Sequence, residues 1–247
     1  MLLSFLLSGE SIQDVLISLL LSLPIILFSL SIHETAHGWV AWKLGDPTAH
    51  NQGRLSLNPL KHMDPIGALC MLLVGFGWAK PVPINVRYFR NPKRGMAICG
   101  AAGPVANLLV GLLFALLYGI CLAGYSYFYY LPDAEFAKQM MYWLFNVCYL
   151  GAYMNFFLMV FNLLPVPPFD GSRILFAFLP PKQYFGIMRY ERQIMLGVLV
   201  VLLACSYVFH FSPFGWVADN LTDLVATPVT DLLWKHVFHP RLMTKLF

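Results

Sequence analysis

The sequence predicts an all-α polytopic membrane protein with about four transmembrane helices, a re-entrant segment and short edge strands on the cytoplasmic side. Of its 247 residues, 59% are hydrophobic and only 11% are charged, whereas an average soluble domain has about 25% charged residues. Several uncharged runs reach the roughly 20 residues that a helix needs to cross about 30 Å of hydrocarbon. We therefore expect one membrane-embedded domain over residues 1–247.

The composition also excludes several other classes of protein. Five scattered cysteines without a C-x-x-C pair do not form the framework of a secreted disulfide scaffold. The formal net charge of +4 comes mostly from short connecting segments, where basic residues set orientation and contact lipid headgroups. We therefore expect a bilayer as a partner and no nucleic acid.

Four uncharged runs are long enough to span a bilayer. They predict a first core helix over residues 13–43, a second over 95–125, a third over 139–171 and an additional transmembrane helix over 193–217. A fifth run, residues 65–79, is shorter and contains three glycines. We expect it to enter the membrane and return to the same side.

Basic residues predict the orientation of these elements. Residues 43–94 carry eight Lys or Arg side chains, whereas residues 1–14 carry none. The positive-inside rule places residues 43–94 in the cytoplasm, and a crossing by residues 65–79 would move five of those eight charges outside. Residues 1–9 lack the basic start of a signal peptide, so we expect the first helix to be retained.

The connecting segments and the tail predict smaller elements. Residues 53–58 alternate between polar and apolar side chains, and residues 81–87 carry prolines that exclude a helix interior. Both segments favour edge strands. The tail, residues 218–247, mixes apolar, aromatic and charged residues, which is typical of an amphipathic helix lying in the membrane interface.

The pattern H-E-x-x-H at His33, Glu34 and His37 lies at the end of the first helix. Positions i and i+4 share one face of a helix, so both imidazoles can bind one Zn²⁺. The glutamate then takes a proton from the attacking water and passes it to the leaving amine. The alternative is a pair of helix-end histidines bonded to neighbours, with Glu34 reaching the interface, but ionisable groups within a span are usually functional.

Two histidines leave a catalytic zinc one protein ligand short. Asp170 is the best candidate, since it follows Pro165, Pro167 and Pro168, and prolines expose backbone that must line protein or a polar cavity. Asp170 is alternatively the N-cap of a short helix over residues 171–178. The other histidines are more typical of surface positions than of ligands: His50, His62, His210, His236 and His239.

Together these segments resemble the site-2 protease family of intramembrane zinc metalloproteases. The family carries H-E-x-x-H on one core helix and N-x-x-P-x-P-x-x-D-G on another. Here the second motif is complete in Asn162, Pro165, Pro167, Asp170 and Gly171. Residues 101–107 are similar to the Gly-Pro segment of the family's middle helix, and the resemblance covers about residues 15–180.

The resemblance implies His33, His37 and Asp170 as ligands of one Zn²⁺, with Glu34 as general base and acid. It implies that Asn162 lies near the scissile carbonyl, as an amide donor to the developing oxyanion. Asn107 either orients a ligand or hydrogen-bonds between helices. The implied activity is hydrolysis of peptide bonds within or near transmembrane segments, by a multi-pass protein of a prokaryotic cell membrane with its site toward the cytoplasm.

Several expectations concern partners. The connection near residues 125–138 is too short for the PDZ domain of larger relatives, and only about 30 residues follow the last predicted span. Substrate selection would then fall to the membrane-embedded parts or to a separate regulatory or adaptor protein. We expect residues 53–58 or 81–86 to pair with a transmembrane protein or peptide substrate in extended form. Residues 76–78 either wall a polar cavity or anchor a Trp at the interface.

The alternative functions are a metal-binding scaffold without catalysis and a transporter. An inactive metal-binding scaffold would not need Glu34, which is present. A transporter usually has paired halves with broken helices, which this sequence lacks.

Overall fold

The computed structural model describes residues 11–74, 77–180, 183, 186–187, 189–207 and 212–238. The predictions for residues 1–9, Phe76, His210 and His239 lie outside them. We number the α-helices of the described residues in chain order: α1 Ile12–Lys43, α2 Thr48–Asn51, α3 Pro65–Val74, α4 Pro92–Tyr129, α5 Glu135–Asn162, α6 Asp170–Phe176, α7 Glu191–Tyr207 and α8 Pro213–Leu233. Two 3-10 turns, Pro59–Lys61 and Val86–Tyr88, and a π turn, Trp234–Phe238, complete the described elements.

Three helices in the described part of the chain are long and apolar enough to cross a membrane. They are Leu16–Lys43 within α1, Pro92–Tyr129 and Glu135–Asn162. The sequence predicted a fourth over residues 193–217, but α7 ends at Tyr207, Ser212 is not helical and Pro213 begins α8. Proline disfavours helical backbone at the residue before it and suits the first position of a new helix, so the apolar run is divided between two helices.

The predicted edge strands are absent from the described residues. Residues 54–58 and 81–85 have no regular secondary structure, and Val86–Tyr88 is a 3-10 turn. Their backbone groups bond to side chains and turns instead of to a neighbouring strand: the Ser56 carbonyl accepts from Thr35 Oγ1 at 2.8 Å, and the Asn85 amide donates to Asp46 at 2.6 Å. Alternation of polar and apolar residues predicted extended backbone but could not supply a strand partner.

The two ends of the apolar run over residues 65–79 lie side by side. Helix α3 begins at Pro65, and Met63 forms an isolated antiparallel bridge with Ala79. The next amide, Lys80, donates to the His62 carbonyl at 2.7 Å. The run therefore leaves and returns to one place, as a re-entrant segment requires, while its depth in a membrane stays a prediction.

The chain divides into two compact units. The first contains the described residues up to Asn107 together with those of Leu158–Ser212, and it holds all the candidate site residues. The second contains Leu108–Phe157 and the described residues from Pro213 onward.

Within the second unit, the predicted amphipathic tail is helix α8, which begins at Pro213 and not at residue 218. Its buried face consists of small residues at helical spacing: Gly215, Ala218, Thr222 and Ala226. Thr230 Oγ1 donates to the Gly119 carbonyl at 3.1 Å, and Tyr149 donates its hydroxyl hydrogen to Asp219. Small side chains permit this close approach of α8 to α4.

Candidate metal centre

Three side chains from two helices meet at one point. His33 Nε2 lies 3.0 Å from Asp170 Oδ2, His37 Nε2 lies 3.1 Å from the same oxygen, and the two Nε2 atoms are 3.0 Å apart. All three residues are buried, with His33, His37 and Asp170 exposed by 4%, 7% and 8%. Among the described residues, these three form the cluster whose donor atoms could hold one metal ion.

The spacing fits a tetrahedral cation. Ligand atoms about 2.05 Å from a zinc ion in tetrahedral geometry stand about 3.3 Å from one another. The observed triangle has sides of 3.0–3.1 Å, so its atoms need to move apart by only about 0.3 Å to match that geometry. Two imidazole nitrogens and one carboxylate oxygen are also a donor set that zinc prefers.

Hydrogen bonds on the far side of each ring explain the orientation of both imidazoles. His33 Nδ1 bonds to Asn107 Oδ1 at 2.5 Å, and His37 Nδ1 bonds to the Cys99 carbonyl at 2.6 Å. Both partners on helix α4 are acceptors, so each Nδ1 carries the hydrogen and each Nε2 of a neutral ring presents a lone pair. Two lone pairs and a carboxylate oxygen at this distance repel one another, and either a metal cation or a proton relieves that repulsion.

The side chain of Asp170 is an ionised carboxylate. Burial by itself raises the pKa of this carboxyl, but when a proton occupies Nε2 of His33 or His37, the hydrogen bonds and positive charge of the imidazoles outweigh burial, and the pKa lies well below its usual range. Asp170 does not cap the following helix. The N-cap of α6 is Phe169, and its side chain makes no capping hydrogen bond.

The segment after α5 brings Asp170 to the histidines. Helix α5 ends at Asn162, a turn with a cis peptide between Pro167 and Pro168 follows, and α6 begins at Asp170 itself. A Cβ on Gly171 would overlap the backbone of residues 163–164, with the Leu164 oxygen 2.5 Å away. Only glycine permits this close return of α6 onto the end of α5.

Gly103 provides the space in which the histidines sit. A Cβ on Gly103 would stand 2.5 Å from His37 Nε2 and overlap the His33 ring. The sequence identified this glycine only as part of a segment similar to the family pattern. Its steric role depends on which face of α4 meets α1, and no local signal predicts that.

Glu34 is held apart from the three ligand atoms. Its Oε2 accepts the Val82 amide hydrogen at 2.8 Å, and the carboxylate does not belong to the metal-ligand cluster. One turn further along α1, Gly38 has no side chain, and a Cβ there would stand 2.9 Å from Val82 Cγ1. The sequence did not predict the hydrogen bond between the Val82 amide and Glu34, because a backbone donor 48 residues away produces no local sequence pattern.

The remaining candidates are distributed as follows. Asn107 is fully buried and bonds to His33, which favours the ligand-orienting alternative of the two given above. The side-chain amide of Asn162 donates to the Leu158 carbonyl of its own helix at 2.9 Å. His62 is 2% exposed, so the expectation of a surface position was wrong: its Nε2 donates to the Ser56 carbonyl at 2.7 Å, and it lies outside the metal-ligand cluster.

Comparison with known proteins adds an independent finding. Residues 22–205 match the model of peptidase family M50. The chain is 40% identical to YwhC of Bacillus subtilis over 186 residues, which cover 74% of this chain and 81% of that protein. It is 29% identical to Rip2 of Mycolicibacterium smegmatis over 212 residues, or 80% and 74% of the two chains. Both relatives are named as zinc metalloproteases, and no solved structure matches the chain.

Proposed function

The chain belongs to peptidase family M50, the site-2 protease family, and on this basis we propose that it is an intramembrane zinc metalloprotease. It hydrolyses peptide bonds within or near transmembrane segments of membrane-protein substrates. The single observation that carries the proposal is the meeting of His33, His37 and Asp170 at mutual distances of 3.0–3.1 Å. The three apolar helices agree with a membrane protein.

In this proposal His33, His37 and Asp170 hold one Zn²⁺. When bound, such an ion would supply an activated water and a positive charge at the scissile carbonyl. The Nδ1 hydrogen bonds to Asn107 and Cys99 keep both imidazoles in the tautomer that a ligand needs. Asp170 supplies a negative charge that offsets part of the charge of the cation.

Glu34 is the proton carrier of the proposed reaction. It stands next to a ligand in the chain but bonds to the Val82 amide instead of joining the ligand cluster, so its second carboxylate oxygen can take a proton from the attacking water. The same carboxyl then gives that proton to the leaving amine. Asn162 remains the proposed oxyanion donor, for which its side chain would turn from the Leu158 carbonyl.

We further propose that the site faces the cytoplasm. The excess of basic residues between α1 and α4 supports this orientation. Only residues 130–134 join α4 to α5, so selection of a substrate would depend on the membrane-embedded parts or on a separate adaptor.

The Glu34→Gln variant tests the proposal. We expect zinc content to stay unchanged while cleavage falls about 100- to 10,000-fold, the usual contribution of general acid-base catalysis. Proteomics of membrane fractions would show fragments or precursors that accumulate with Glu34→Gln and disappear with the unmodified chain. Glu135→Gln is the matched control, because Glu135 is an exposed acid paired with Lys138.

Two results would contradict the proposal. If the membrane fractions with Glu34→Gln and with the unmodified chain contain the same proteins and fragments, the result would favour an inactive metal-binding scaffold or a transporter. Equal loss of zinc in Glu34→Gln and in Asp170→Ala would mean that Glu34 is a ligand and not the proton carrier.

A further inference from the structure

One peptide group lies between two side chains of opposite charge. The peptide that joins Pro81 to Val82 donates its N–H to Glu34 Oε2 at 2.8 Å, and its carbonyl oxygen accepts from Arg54 Nη2 at 3.3 Å. The same Nη2 also donates to the Lys80 carbonyl at 2.8 Å. A trans peptide is planar and rigid, so fixing its oxygen also fixes the direction of its N–H.

Val82 supplies the backbone N–H of this segment that binds Glu34. Pro81 and Pro83 have no amide hydrogen, so the Val82 amide is the one backbone donor of residues 81–83. Val82 is 7% exposed, and its side chain packs where Gly38 leaves room on α1. The peptide therefore has two anchors, the Val82 side chain against α1 and the Arg54 guanidinium on its oxygen.

Arg54 is bonded to carbonyl oxygens and not to an acid. Among the described residues it forms no ion pair, and its Nε is buried without a hydrogen-bond partner. A partly buried cation without a carboxylate is a poor source of stability, because its desolvation is not repaid. It does polarise the peptide to which it binds, which makes the N–H at the other end a stronger donor.

We propose that Arg54 is a positioning residue that holds Glu34 in its catalytic orientation through the peptide group between Pro81 and Val82. The inference rests on the proposed function, since the orientation of Glu34 matters for catalysis only if the chain hydrolyses peptide bonds. Arg54 touches neither the ligand cluster nor the reacting atoms. Its effect passes through one hydrogen-bonded peptide to one oxygen of Glu34.

A first test does not depend on activity. Hydrogen exchange of the full-length, metal-free protein in detergent measures the protection of the Val82 amide. We expect Arg54→Ala to accelerate exchange at Val82 about 10-fold or more, and Glu34→Ala to do the same. Lys61→Ala is the matched control, because Lys61 donates to the Gly53 carbonyl at 3.0 Å and contacts the same loop without reaching residues 80–82. Unchanged protection in Arg54→Ala would overturn the proposal.

A second test uses kinetics on a tagged copy of the membrane protein that accumulates most with Glu34→Gln. We expect Arg54→Ala to lower kcat about 10- to 100-fold, the usual effect of a residue that orients a catalytic or ligand group. KM, zinc content and the thermal midpoint should stay close to those of the unmodified protein. Arg54→Lys should recover part of kcat, because the ammonium keeps the charge and can donate to the same carbonyls but lacks the fixed planar geometry of the guanidinium.

A double-mutant cycle identifies the route. Val82→Pro removes the amide hydrogen, and Val82→Ala keeps it while shortening the side chain. If Arg54 acts through this N–H, Arg54→Ala should cost little further activity in the Val82→Pro background and its full effect in the Val82→Ala background. Equal losses in both backgrounds would overturn the proposal. Loss of zinc together with kcat in Arg54→Ala would also overturn it, in favour of a structural role.

These outcomes are distinguishable from failure of the proposed function. If Glu34→Gln leaves cleavage intact, the metalloprotease proposal itself fails. If Glu34→Gln abolishes cleavage and Arg54→Ala does not change kcat, only the role of Arg54 is refuted. Should Arg54→Ala fail to fold, Arg54→Lys and the Val82 pair give the same comparison.

Discussion

The hydrogen bond between His33 and Asn107 provides a quantitative test of the metal centre. Asn107→Ala removes the acceptor of the His33 Nδ1 hydrogen, which lies 2.5 Å away. Asn107 is 0% and His33 only 4% exposed, so water has little access to replace the lost partner. An unsatisfied buried donor costs about 1–3 kcal/mol, and a change of about 1.4 kcal/mol corresponds to a tenfold change in an equilibrium constant.

We therefore expect Asn107→Ala to weaken zinc binding about 5- to 150-fold, if the whole cost falls on the ligating conformation of His33. A competition titration of the purified protein in detergent against a chelator of known zinc affinity measures this change. Asn155→Ala is the control, because Asn155 is also fully buried in a helix and donates to the Gly151 carbonyl at 2.8 Å, far along the chain from the ligands.

Two results would refute this reasoning. Zinc affinity within about twofold of the unmodified protein would mean that Asn107 serves only as a hydrogen bond between helices. An equal loss of affinity in Asn155→Ala would mean that any buried asparagine matters through general stability. The same titration thus decides between the two roles that the sequence left open for Asn107.

Two further predictions follow from the packing around the site. Gly103→Ala should abolish zinc binding, because the added Cβ overlaps the His33 ring and stands 2.5 Å from His37 Nε2. Gly197→Ala is the control and should bind zinc normally, because a Cβ there meets nothing within 4 Å. Zinc content after dialysis measures both variants. Leu57→Pro should reduce cleavage of a helical substrate before it changes zinc content if substrates pair with residues 53–58, since Leu57 is 54% exposed and proline removes its amide hydrogen. Parallel loss of cleavage and zinc, or no loss of cleavage, would argue against pairing at this segment.

The connecting segments show why their prediction was only partly right. Alternation and prolines predicted edge strands over residues 53–58 and 81–87, but residues 54–58 and 81–85 have no regular secondary structure, and many of their polar groups already have partners. The Ser56 carbonyl accepts from Thr35 and His62, and the carbonyls of Lys80 and Pro81 accept from Arg54. These segments are loops bonded to helix α1 through Thr35 and Glu34 instead of a sheet edge. Side-chain donors that come from other parts of the chain cannot be recognised in a local pattern.

The end of the chain gave a similar result. Hydropathy predicted one span over residues 193–217, and the proline at 213 was the local signal that divides it. By contrast, the helices Leu16–Lys43, Pro92–Tyr129 and Glu135–Asn162 overlap the spans predicted from uncharged runs, because the hydrocarbon requirement acts on composition alone. The third helix ends at Asn162 and not at residue 171, because the prolines that follow do not continue a helix.

The order of residues along the chain was sufficient to place His33 and His37 on one face of a helix, since the α-helical repeat puts positions four apart side by side. It was also sufficient to nominate Asp170, because the histidine pair needs a third ligand and the prolines before Asp170 expose backbone that must line protein or a polar cavity. Only the tertiary structure decided that Asp170 lies 3.0 Å from His33, that Gly103 leaves room for both rings, and that the Val82 amide binds Glu34. Each of these contacts joins residues more than 40 positions apart, and such contacts depend on how helices and loops pack, which short-range periodicity does not encode.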